Sequence, residues 1–196
     1  MPRWTASLAL LAALSGCAAP PETAPPAPGV PAMVIVREFR TTSSTRVAID
    51  TSFGFSLHRG QPGVPLSQRA LSVSRAAAFD IADAATERLR QAGYNAVHGD
   101  TRGPAPTGKA IIVVGTLRDV DEGHRRQVGA ENAAVAADVE IDYWAPGMQP
   151  LAALHIDSRQ LGGGNAAAVN VAAARVGAEI ARVAIAAAQR VGLPPR

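Results

Sequence analysis

The chain has 196 residues, 47% of them hydrophobic, 18% charged and 4% aromatic, with a formal net charge of +3. That is enough apolar material for one core, and too little clustered basic sequence for a nucleic-acid surface. The cations are arginines except for Lys109, and no run of them is interleaved with aromatics, so no nucleic-acid partner is expected.

Residues 1–16 read as an export signal. Met1-Pro2-Arg3 is short and basic, Trp4 to Leu14 is mostly apolar, and small residues lead up to Cys17. The apolar run is shorter than the roughly 20 residues a helix needs to span about 30 Å of hydrocarbon, so a transmembrane anchor is not expected. Leu14-Ser15-Gly16-Cys17 resembles the lipobox of bacterial lipoproteins. That resemblance implies a diacylglycerol on the Cys17 sulfur, cleavage before Cys17, and acylation of its freed amine. A thiolate suits the first step as a good nucleophile, and several acyl chains hold a membrane where one does so only marginally. Cys17 is the single cysteine, so residues 32–196 are expected to hold no disulfide, thiolate metal site or cysteine nucleophile. Ala18 stands where aspartate would retain an enterobacterial lipoprotein in the inner membrane, so the outer membrane, facing the periplasm, is the expected location. Residues 17–31 then form a lipidated, proline-rich tether. In extended polyproline form, Ala18 to Pro31 reaches about 40 Å at roughly 3 Å per residue.

One periplasmic domain is expected over residues 32–196. Ala32 to Phe39 is a β-branched run and predicts a strand; Arg46 to Thr51 offers a short second one. Ser56 to Ser67, with its glycines and prolines, predicts a loop. Ser74 to Ala92 predicts a helix, with Ala78, Ile81, Ala82, Ala85, Leu89 and Ala92 on one face. Ser72 or Ser74 is its expected cap and Gly93 its stop. Tyr94 to His98 predicts a strand. Lys109 to Asp121 begins as an apolar strand and passes into alternation. Ala133 to Trp144 alternates throughout, with Val135, Ala137, Val139, Ile141 and Tyr143 on one face and Asp138, Glu140 and Asp142 on the other. Ala145-Pro146-Gly147 marks a turn. Leu151 to Gln160 alternates again. Three such strands predict an antiparallel meander with one apolar side. Asn165 to Val191 predicts a closing helix capped by Asn165. Its stripe is Val169, Ala172, Ala173, Val176, Ile180, Val183, Ala187 and Val191. The expected class is α/β: a mixed sheet whose meander is covered by two amphipathic helices, in the order β-α-β-β-β-β-α.

The sequence holds no G-x-S-x-G, H-E-x-x-H or Walker motif. His58, His98, His124 and His155 are scattered without ligand spacing and are expected on surfaces or loops. Asp119, Asp121, Glu122 and His124 offer hard ligands for a divalent cation, but also suit a solvated hairpin tip beside Arg125 and Arg126. Asp138, Glu140 and Asp142 are suited to attract a basic partner, or to pair across strands with Arg118 and Arg159. Gly162-Gly163-Gly164-Asn165 sits at a helix start, where free amides can hold phosphate, although no lysine follows. No catalytic residue, metal or cofactor is therefore expected.

The span Ile111 to Arg159 resembles a family of bacterial lipoproteins known as a domain of unknown function. The resemblance rests on Val114-Gly115-Thr116-Leu117, Glu122-Gly123-His124-Arg125-Arg126, Val128-Gly129-Ala130 and Val135 to Asp142, together with the lipobox and the closing helix. Ala130-Glu131-Asn132 departs from the glycine-alanine-glycine usual there. The resemblance implies a fold similar to penicillin-binding-protein activator lipoproteins and the amino-terminal domain of the Tol translocation protein. Those are binding modules, and no catalytic residues come with it. The expected function is thus an outer-membrane-anchored periplasmic lipoprotein that binds or assembles another envelope component without catalysis. The alternative is a small-ligand or metal-binding protein or enzyme using the hairpin from Asp119 to His124.

Overall fold

The computed structural model describes residues 33–50, 64–123, 132–145, 147–161 and 168–195. The expected α/β architecture is present: a six-stranded mixed sheet with two helices. In chain order the elements are β1 (Met33–Arg37), β2 (Arg46–Ala48), α1 (Leu66–Gln91), β3 (Asn95–Gly99), β4 (Ala110–Asp121), β5 (Ala134–Trp144), β6 (Met148–Asp157) and α2 (Val169–Arg190). The short second strand that Arg46 to Thr51 offered is therefore real, and adds one strand ahead of α1.

The sheet order is β3-β1-β4-β5-β6, with β2 also paired to β4. β1 runs parallel to both β3 and β4, and β2 runs parallel to β4. β1 and β2 share one flank of the long β4, joined by the bridge from Arg40 to Thr116. β4, β5 and β6 form the expected antiparallel meander. Val34, Ile35 and Val36 are buried on both faces of β1, as befits a central strand lying between two parallel neighbours.

Both helices cover one side of the sheet. Val34, Val36, Ile111, Val113, Leu117, Val135, Ala137, Val139, Ile141 and Ile156 meet them in a single core. The helix contribution is largely alanine. Ala77, Ala78, Ala82 and Ala85 of α1 are buried, as are Ala172, Ala173, Ala181, Ala184, Ala187 and Ala188 of α2. Small side chains let the two helices approach each other and the sheet closely.

Helix boundaries correct two expectations. α1 starts at Leu66 behind Pro65, not at Ser74, and no side chain caps it. Ser74 is buried within the helix and its hydroxyl donates to the carbonyl of Leu71, a local bond open to any serine in a helix interior. The early turns went unread because Leu66 and Leu71 are exposed, so no apolar stripe marks them. Ala92, expected in the stripe, is likewise exposed. Gly93 does end the helix, at φ 87°. The amides of Gly93 and Tyr94 bond back to the carbonyls of Arg90 and Leu89, a left-handed glycine stop. α2 begins at Val169; Asn165 lies outside the described residues. Its buried stripe also takes in Gly177, Ala181, Ala184 and Ala188, positions that look neutral in sequence.

Candidate functional site

The face of the sheet away from the helices carries the polar residues. Directly paired residues share a face, so the strand register reads this outer face as successive rows. One row runs Arg46–Asp119–Ala136–Asp157. The next described row is Thr116–Asp138–His155. Val114–Glu140–Ala153 follows, then Ile35–Ile112–Asp142–Pro150, and finally Met33–Ala110–Trp144–Met148. The face is charged at the end nearest Ala136 and apolar at the end nearest Trp144.

At the charged end, carboxylates are matched by arginines. Asp119 accepts from Arg46 Nε at 3.0 Å and from Arg159 Nη1 at 3.3 Å. Arg159 Nη2 reaches Asp121 at 3.0 Å, and its guanidinium also lies 3.7 Å from Asp157. Ala134 and Ala136 are small and buried beneath this network. Burial pushes the Asp119 carboxyl upward, but the hydrogen bonds and charges of Arg46 and Arg159 outweigh it and hold Asp119 below its usual range. Asp138 accepts from Arg118, and its other oxygen lies 2.7 Å from His155 Nδ1. The bond to His155 and the nearby Arg118 hold Asp138 low as well.

The acidic hairpin is therefore a paired structure. Asp121 also accepts the amide of Gly123, and Glu122 accepts the amide of Asp50 at 3.0 Å. Among the described residues no group of three His, Cys, Asp or Glu side chains is placed to hold a metal ion. His58, His124, Cys17, the tether and the glycine turn Gly162-Gly163-Gly164-Asn165 lie outside the described residues. His98 sits in β3 with its ring 5.0 Å from that of Phe79, and His155 sits in β6 on Asp138.

The cross-strand pairing expected of the acidic stripe is met at one residue only. Asp138 takes Arg118, but Arg159 turns to Asp119, Asp121 and Asp157. The reason is register. Arg159 follows Asp157, which pairs with Ala136. Asp142 lies six residues along the strand, or about 20 Å away.

The carboxylates of Glu140 and Asp142 consequently have no hydrogen bond or ion pair with any described residue. Asp142 is only 8% exposed. Its cross-strand neighbours are Ile112 and Pro150, which have no side-chain donor. Burial, and then the charge of Glu140, push its carboxyl above the usual range. Arg37, beside these rows, donates instead to the carbonyls of Asp100 and Pro104. Sequence reading placed Asp142 and Glu140 on the right face but missed that they lack partners; alternation reveals a face, not its register. Trp144, the next residue on that face, is half-buried and carried no signal beyond the same alternation.

No family model matches the chain, and no curated protein matches it. Among solved structures, it is similar to the hypothetical protein CT253 from Chlamydia trachomatis at 9% identity and a TM-score of 0.40, covering 82% of this chain and 99% of that one. A protein from Helicobacter pylori described as a neuraminyllactose-binding hemagglutinin homolog is similar at 9% identity and a TM-score of 0.35, covering 82% of this chain and 88% of that one. Likenesses this distant carry no argument about function.

Proposed function

We propose that this protein is an outer-membrane-anchored periplasmic lipoprotein whose α/β domain binds another component of the cell envelope without catalysing a reaction. The observation that carries the reading is Leu14-Ser15-Gly16-Cys17 behind an apolar run and ahead of a proline-rich stretch. A lipid on Cys17 would hold the chain at the membrane, and the stretch to Pro31 would hold the domain about 40 Å, at roughly 3 Å per residue, from the bilayer. No described helix is long and apolar enough to cross a membrane, so the anchoring role falls to the lipid in this reading. The metal-dependent alternative loses support from the side chains it would use. Asp119 and Asp121 are taken by Arg46 and Arg159, and Glu122 by the amide of Asp50.

The test is membrane fractionation with intact mass, wild type beside Cys17→Ala. The expected result is three acyl chains and outer-membrane location for the wild type, and an unacylated mutant released from that membrane. An unacylated, soluble wild type would overturn the reading.

A further inference from the structure

We infer that the apolar end of the outer sheet face is a docking surface for a partner protein, and that it receives an arginine or lysine side chain between Asp142, Glu140 and Trp144. This rests on the binding-module reading and names where and how that binding occurs.

Three observations converge on it. First, Asp142 is more than nine-tenths buried and unpartnered. Folding removes most of this residue from water and gives its carboxylate no partner in return, which is unfavourable compared with the same group once a cation meets it. Tyr94 Oη is the only fully buried side-chain polar atom without a partner among the described residues. The Asp142 oxygens therefore still reach the surface, where a donor can meet them.

Second, the charge balance of the face is local. Arg46, Arg118 and Arg159 are committed to Asp119, Asp138, Asp121 and Asp157, and Arg37 to backbone carbonyls. Arg40, in the Thr116 row, makes no ion pair with Glu140 or Asp142. Glu140 and Asp142 thus have no cation in contact at this end of the face, whereas each of the four aspartates at the other end does.

Third, the surroundings suit a long cationic side chain. Val114, half-buried, and Pro150, exposed, leave apolar surface beside the carboxylates, against which a methylene stem can pack. Trp144 follows Asp142 on the same face, and an indole is the best aromatic partner for a cation. Met148, paired with Trp144, is 53% exposed at the edge strand and extends the apolar margin. An arginine donates to two acceptors at once and stacks on an aromatic face, which fits this set.

The test uses the acylated chain in detergent, in which cleavage before Cys17 has removed Trp4 and left Trp144 as the only tryptophan, with Trp4→Phe serving the same purpose in uncleaved chain. The probes are a short peptide with two arginines and the same peptide with neutral citrulline in their place. The expected result is a saturable change in Trp144 emission with the arginine peptide. Binding should weaken by about tenfold to a hundredfold with citrulline or in Asp142→Asn, as losing a charged hydrogen bond implies. Glu140→Gln, at an exposed position whose side chain makes no hydrogen bond or ion pair in the fold, should weaken it too and guards against a folding defect at Asp142. Equal binding of the two peptides, or unchanged binding in both variants, would overturn the inference.

A photoreactive residue at Met148, or at Phe79 on the helix side, then separates this inference from the broader reading in intact cells. An adduct with another protein at position 148 that is lost in Glu140→Gln supports the surface. An adduct only at 79, one at 148 indifferent to charge, or one of twice the chain's own mass overturns it and leaves a binding module. No adduct at either position counts against both.

Discussion

Gly115 stands in mid-strand, where glycine ordinarily weakens pairing and signals a close approach. The cause is Phe39. A Cβ built on Gly115 would lie 2.0 Å from the Phe39 ring, and that ring is itself buried. The missing side chain makes room for an aromatic arriving from the segment between β1 and β2. Gly115→Ala should therefore destabilise the domain by about 1–3 kcal/mol, the ordinary range for overpacking. Urea unfolding measures it, and Phe39→Leu should reduce the extra cost in a double-mutant cycle. An additive result would mean the two residues do not share that space. The glycine is conspicuous in the sequence; its partner is not, because Phe39 lies far away along the chain and reaches it only through the bridge from Arg40 to Thr116.

At the scale of the elements, the helix pair shows how much small residues decide. Gly177 lies in the interior of α2, where alanine would favour the helix by about 1 kcal/mol. Yet a Cβ there would lie 2.7 Å from the carbonyl oxygen of Ile81 and 2.9 Å from the amide nitrogen of Ala85. Those are backbone atoms of α1, which cannot swing aside, so the overpacking cost should exceed the gain in propensity. Gly177→Ala is expected to raise the helicity of an isolated α2 peptide, read by circular dichroism, and to lower the melting temperature of the whole protein. A rise in both would show that the helices can separate freely. The amphipathic stripes of both helices were legible from spacing. The start of α1 was not, since its first turns lie exposed and uncapped, and neither signal used to find a helix start was present.

For the whole molecule, the outer face contributes to the response to acid, alongside Glu179 on α2, which the bond from Arg182 holds below its usual range. Asp119 and Asp138 are held below their ordinary value of 3.8. A depressed carboxylate contributes stability that is fully present above the unfolded value and is lost as pH falls through the folded one. Unfolding free energy should thus fall as pH drops below about 3.8, and Asp119→Asn should flatten that decline. Asp142 runs the other way: its raised value means the charged form opposes folding, so Asp142→Asn should melt higher at neutral pH, by an amount on the order of 2 °C. Thermal melts of the three proteins between neutrality and pH 2.5 check both signs. A steeper decline in Asp119→Asn, or a lower melting temperature in Asp142→Asn at neutral pH, would contradict this account of the face. The opposite signs belong to the two ends of one strand row system, one neutralised within the chain and one not.

Periodicity alone determined the class of fold, the meander and the two faces of β5, because burial imposes a period of two on strands and 3.6 on helices. Composition and spacing likewise marked Cys17 and the absence of any familiar catalytic motif. Tertiary structure decided which polar groups meet. Register placed Arg159 just past the Ala136–Asp157 pair rather than beside Asp142, joined Asp119 and Asp121 to an arginine network, and left one buried carboxylate among Ile112, Pro150 and Trp144. Those outcomes depend on which residues stand opposite one another across strands distant in sequence, and a one-residue change of register would have reversed them.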